Sequence, residues 1–161
     1  LLWVELDRVV GEDVKGDVGA VADDVKACLS LTMTGARRVT DAAVAHAERI
    51  GVPVCVAVVD RAGCLLAYLR MDGAPLLSEQ LARDKAYTVV GFNGRPTHQW
   101  WEAIAEDPAL RSGIVHTDRL VIFGGGVPVC VSGEVVGAVG VSGGSAEQDR
   151  AIAEAGTAAL T

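Results

Sequence analysis

Aromatic residues are scarce in this chain. Phe, Trp and Tyr make up 4% of its 161 residues, whereas half of the residues are apolar. A core must therefore be assembled from Val, Ala, Leu and Ile, and the length suits one domain around one such core. Basic charge is also short, with 14 Lys and Arg against 21 Asp and Glu and a net charge of -7. That balance argues against nucleic acid as a partner, while leaving local cationic pockets open. No run reaches the ~18 apolar residues that a membrane span needs. The opening stretch LLWVELDRVV mixes charged with apolar residues and does not read as a signal peptide. A cytoplasmic location with no membrane partner is the expectation. The four cysteines, Cys28, Cys55, Cys64 and Cys130, show no C-x-x-C pair and no zinc spacing. Each lies in an apolar run and reads as a buried free thiol, which fits a reducing compartment.

Residues 1–29 are Gly- and Asp-rich and weakly patterned, and read as an N-terminal extension; residues 30–161 read as the folded domain. Thr32 is a plausible N-cap for a helix whose apolar face carries Ala36, Val39, Ala43, Ala47 and Ile50, with Gly51 and Pro53 as the stop. Two β-rich runs flank DRAG, a hairpin signal, and the first is apolar on both faces, as in a central covered strand. PLLSEQLARDKAYTVVGF reads as a helix with Pro75 near its first turn, and THQWWEAIAED as a short helix ended by Pro108. RLVIFGGGVPVCVSGEVVGAVGV reads as three strands. The last element is a helix with capping-box spacing at Ser145 and Gln148 and an apolar face of Ala151, Ile152, Ala155, Ala158 and Ala159. The order α-β-β-α-α-β-β-β-α predicts an α+β fold, a five-stranded, mainly antiparallel sheet flanked by helices.

Gly124, Gly125 and Gly126 stand in a row after an apolar run. A Walker loop needs a following Lys and a helix, and a dinucleotide fingerprint also needs a helix; here a strand follows, so both readings fail on context. Two readings stay open. The run is a tight connection between strands, or it lets backbone N–H groups approach a ligand closely. The later GVSGGSAEQD leads into a helix and reads either as an anion site or as a turn with its cap.

The runs GVPVCVAVVDRAGCLLAYLRMDGAPL, ARDKAYTVVGF, FGGGVPV and GEVVGAVGVSGGSAEQDRAIAEAG, in that order, resemble the GlcG/HbpS-like family, which includes the C-terminal domain of PduO-type adenosyltransferases. The resemblance covers about residues 31–160. It implies a central antiparallel sheet flanked by helices and assembly as a homo-oligomer. It also implies haem as the best named cofactor, with sequestration, sensing or degradation as roles. GlcG-like members lie in catabolic operons without settled chemistry, so a cofactor-free enzyme acting by proton transfer on a small carboxylate, or a non-catalytic accessory protein, are the other readings. The chain departs from exported members by showing no evident signal peptide.

Against that background a few polar residues carry the candidate chemistry. His98, in RPTHQWW, can ligate haem iron with Trp100 or Trp101 packing on the porphyrin, or can be a loop histidine beside anchoring tryptophans. Lys85 shares a helical side with Ala82, Ala86 and Val89, and an amine on an apolar face is costly unless paired or facing a pocket. It can bind a ligand carboxylate, snorkel, or pair with Asp72. Arg70 and Asp72 follow the second strand and resemble a groove beside the Lys85 helix. His116 and Asp118, read as a strand pair at i, i+2, can form an acid–base dyad. Lys85, His116 and Asp118 are the catalytic candidates. His98, Trp101, Arg70, Asp72 and Gly124–Gly126 are the cofactor-binding candidates, with His98 as the metal ligand. The ligand is expected to be small and anionic.

Overall fold

The computed structural model describes residues 28–160, so most of the N-terminal stretch read as an extension lies outside the described residues. The chain enters the fold at Leu31, whose N–H donates to Val136 O at 2.8 Å. Helix α1 (Met33–Ile50) starts where the Thr32 hydroxyl accepts from Gly35 N, and stops at Gly51, left-handed at φ 68°. Strands β1 (Cys55–Asp60) and β2 (Leu65–Arg70) form the expected hairpin; Asp60 closes its turn by accepting from Ala62 N and Cys64 N, both at 2.9 Å. Helix α2 (Ser78–Gly91) follows, then a 3-10 turn at Thr97–Gln99 that runs into α3 (Trp100–Ile104), and then α4 (Pro108–Gly113). Strands β3 (Gly126–Val131) and β4 (Glu134–Ser142) form a second hairpin, and α5 (Ala146–Thr157) ends the domain behind the full Ser145–Gln148 capping box.

Among the described residues the sheet has four strands, not five. All pairings are antiparallel and the order is β2-β1-β4-β3. The run RLVIF, expected as a strand, is a connection. Its backbone is committed to α2 instead of a neighbouring strand: Val121 N donates to the Thr88 hydroxyl at 2.9 Å, and that hydroxyl donates to Arg119 O at 3.0 Å. Pro108 opens α4 behind the Asp107 N-cap and does not end the preceding helix, because a proline needs no N–H partner in a first turn.

The period-2 alternation of β1 places its residues on two faces. Val56 and Val58 join α1 and α5 through Val39, Ala43, Ile152 and Ala153, while Cys55, Ala57 and Val59 face α2 through Ala82, Ala86 and Val89. Trp100 is the one aromatic among the buried apolar side chains of the described residues, in keeping with the scarcity of aromatics. On the α2 side, Ala138 and Gly140 of β4 keep the surface low. A Cβ at Gly140 would overlap Ala82 O and come within 2.6 Å of Ala86 N, so glycine is what lets the helix backbone lie on the sheet. The buried face of α5 is Asp149, Ile152, Ala153 and Gly156, one step rotated from the expected face, because its core positions include a glycine and an acid. Cys55 is buried, but Cys28, Cys64 and Cys130 are exposed free thiols at chain entry, hairpin turn and sheet edge. Among the described residues no helix is long and apolar enough to cross a membrane.

Candidate functional site

Lys85 falls on the buried stripe of α2 because residues 82, 85, 86 and 89 recur on one side of a helix. It is fully buried. Its Nζ donates to Asp149 Oδ2 at 2.7 Å and to Val141 O at 2.8 Å, and lies 4.9 Å from the centroid of the Phe123 ring. The other oxygen of Asp149 accepts from Gly144 N at 2.9 Å. Burial pushes the Lys85 amine down and the Asp149 carboxyl up from their ordinary values, and the contact between them opposes both shifts. The partner is thus Asp149 on α5, not Asp72. The pair ties α2, β4 and α5 together at one end of the sheet, with Phe123 over it.

The triple glycine runs through this junction. Gly125 is at φ 121°, a conformation that side chains rarely adopt, and a Cβ there would sit 2.7 Å from Lys85 Nζ and 2.9 Å from Asp149 Cβ. A Cβ at Gly124 would overlap Ala146 O at the start of α5, and one at Gly126 would come within 2.7 Å of Lys85 O. All three glycines are buried. Gly125 O accepts from Val141 N at 2.9 Å, and Gly126 N donates to the Thr97 hydroxyl at 2.9 Å. Close packing of backbone against two helices is what these positions demand.

Thr97 fixes the turn that presents His98 and the two tryptophans. His98 is partly buried, and its Nδ1 is buried with no hydrogen-bond partner among the described residues. Burial, and then the nearby positive charge of Arg150, hold its pKa below the ordinary value of 6.5, while Glu154 and Glu102 pull the other way. The adjacent tryptophans divide their work. Trp100 is 6% exposed and meets Phe92 edge-to-face at a centroid distance of 4.5 Å; its indole Nε1 is also buried without a partner. Trp101 is 55% exposed.

The remaining candidates do not converge on this place. Arg70 ends β2 and donates to Ala74 O at 2.6 Å, and Asp72 lies in the turn that follows. Both belong to the β2 edge, and β1 and β4 separate that edge from β3. His116 is exposed at the end of a 3-10 turn, and Asp118 lies in a loop, so the strand geometry expected for them is absent. Lys85 is sealed inside the fold while His116 and Asp118 are at the surface. The sequence reading overlooked Asp84, Tyr87 and Arg119. Arg119 Nε donates to Asp84 Oδ1 at 2.9 Å and its guanidinium carbon lies 3.7 Å from the Tyr87 centroid. Asp84 and Tyr87 at i, i+3 on one helix were the available signal; their partner, 35 residues from Asp84, left none. No cluster of three His, Cys, Asp or Glu side chains among the described residues can hold a metal ion.

Residues 31–158 match a family model described as haem degrading protein HbpS-like. A 15.0 kDa protein from the dhaT-dhaS intergenic region of Citrobacter freundii is 41% identical over 126 residues, which are 78% of this chain and 88% of that protein. The corrinoid adenosyltransferase PduO of the same organism is 38% identical over 133 residues; these are 82% of this chain but 39% of that longer protein. Among solved structures, HbpS has a TM-score of 0.76 at 36% identity, covering 86% of this chain and 96% of that one. A PduOC:heme complex has a TM-score of 0.74 at 35% identity, covering 83% and 96%.

Proposed function

The chain belongs to the HbpS-like family, and on that premise we propose that it binds haem through His98, with Trp101 packing on the porphyrin. The observation that carries this reading is the state of the His98 ring. A metal ligand must be neutral imidazole, and burial together with Arg150 favours that form. The Nδ1 of His98 is buried and makes no hydrogen bond among the described residues. Trp101, three residues along the chain and 55% exposed, offers an aromatic surface beside it. Bound haem would supply the iron for redox or ligand chemistry. The protein's part is to hold the ring in place through Thr97 and to keep it deprotonated. Sequestration, sensing and degradation all begin from this step. Gly126 supports the turn from behind through Thr97, and Arg70 with Asp72 lies at the opposite edge of the sheet.

Titration of the purified chain with haemin tests the reading. Saturation at a fixed stoichiometry with a sharp, shifted Soret band is expected. His98→Ala should weaken binding at least about tenfold, the scale seen when even a supporting group of a metal site is removed. An unchanged spectrum and affinity in that variant removes His98 as the ligand. The pH dependence has a definite sign. Because the folded pKa lies below 6.5, the unfolded chain binds the proton first; stability is complete above that value and falls as pH drops through the window beneath it. Haemin affinity should persist just below pH 6.5 and decline further down. A homo-oligomer belongs to the same proposal, supported by Leu76 and Leu77, 77% and 76% exposed ahead of α2. A molar mass measurement in solution checks it.

A further inference from the structure

A second place, away from His98, sets charged side chains beside a cavity. The segment around Thr117–Leu120 and α2 line a cavity of about 240 Å³ that is open to solvent, with Phe92 and Tyr87 on its apolar wall. Its central group is Arg119. The backbone of Arg119 is left-handed at φ 62°, a conformation costly for a residue with a Cβ and kept only where the surroundings impose it. Three contacts impose it: the Thr88 hydroxyl on Arg119 O at 3.0 Å, Asp84 on Nε at 2.9 Å, and the Tyr87 ring 3.7 Å from the guanidinium carbon. Asp84 is itself held by Gln80 Nε2 at 2.8 Å. This clamp uses only Nε. Neither Nη bonds to a described residue, so the paired donors that match a carboxylate are left over on an immobilised group.

The neighbouring carboxylate makes the ligand chemistry specific. Asp118 lines the same cavity, is exposed, and makes no hydrogen bond or ion pair with a described residue. Asp84 already compensates Arg119, whereas Asp118 is uncompensated. A simple anion would reach the Nη donors but meet repulsion from Asp118; a simple amine would find Asp118 but leave the Nη pair unused. A molecule carrying both charges answers both. The volume lies below the roughly 300–1,000 Å³ of drug-sized pockets and suits a short aliphatic molecule. We propose that this cavity binds a small zwitterion of the α-amino-acid class, its carboxylate on the Arg119 Nη groups, its ammonium on Asp118 and its side chain against Tyr87 and Phe92.

Calorimetric titration of the full chain with L-leucine tests this, with 4-methylpentanoate and 3-methylbutylamine as analogues carrying one charge each. Saturable binding of leucine, at least tenfold weaker for either analogue, is expected. Asp118→Asn and Arg119→Gln should each weaken leucine binding by a similar factor. Asp118 is exposed and supports nothing else, so its variant should keep the wild-type circular dichroism and melting temperature, and a loss there is a binding effect. His98→Ala should leave leucine binding unchanged. No saturable leucine binding, equal binding of either analogue, or an Asp118→Asn variant that binds as wild type overturns the proposal.

Discussion

Two neighbouring residues of α2 make ion pairs in opposite directions. Lys85 turns inward to Asp149, with side-chain exposures of 0% and 4%, while Asp84, itself largely buried, reaches toward the surface to Arg119, at 13% and 36%. Successive helix residues point about 100° apart, so adjacent positions serve the inside and the outside of one element. In the inner pair, two of the three Nζ hydrogens of Lys85 go to Asp149 and Val141 O while the ammonium lies near the Phe123 ring, and the second Asp149 oxygen accepts from Gly144 N. The pair is closed to any ligand and acts as a bolt between α2, β4 and α5. The outer pair leaves both Nη groups of Arg119 unspent beside a cavity. Charge inside a fold is structural when its hydrogen-bonding capacity is used up, and open to ligands when part of it is not.

The comparison breaks most sharply at Lys85. Lys85→Ala leaves Asp149 charged, buried and unpaired, and should cost about 3–5 kcal/mol in urea unfolding. A cost under about 1 kcal/mol would show that water reaches Asp149 and that the junction is open. Lys85→Met combined with Asp149→Leu should be less destabilised than Lys85→Ala alone, because no charge is left stranded. A double variant as unstable as the single one would place the cost in lost packing. The outer pair should respond least. Asp84→Asn should cost about 1 kcal/mol or less, and the cost should shrink in 1 M salt, where screening acts over about 3 Å. The Lys85→Ala cost should be insensitive to salt. Equal salt sensitivity at the two positions would erase the distinction between them.

Local signals were readable. The Thr32 cap, the Gly51 stop, the DRAG hairpin and the Ser145–Gln148 box all depend on residues within a few positions of one another, and all occur as read. The motif runs pointed to the family, and the family model agrees. What misled was apolarity taken as strand or core. RLVIF is apolar enough for a strand, but Thr88 holds its backbone to a helix. The α5 face was drawn through alanines, while Gly156 and Asp149 occupy the core positions: Gly156 lies close to α1, where a Cβ would be 2.9 Å from Val39 O, and Asp149 is neutralised by Lys85. Three cysteines in apolar surroundings proved exposed for a similar reason, since a short apolar run at a turn or a sheet edge has one side in water.

The sequence by itself determined that a Val- and Ala-rich core would form, where α1 starts and stops and where α5 starts, that Lys85 would lie on an apolar helical face, and which family the chain resembles. Those properties follow from composition and from neighbours along the chain. Only the tertiary structure decided which charges meet. Lys85 and Asp149 are 64 residues apart, and Asp84 and Arg119 are 35 apart. No spacing rule links such positions; they meet because α2 lies on β4 closely enough that only glycine fits at position 140, which carries Lys85 to α5 and Asp84 to the loop. The triple glycine belongs to the same category. Its residues were evident at once, and its purpose is set by the backbone and side chains of distant elements packed against it.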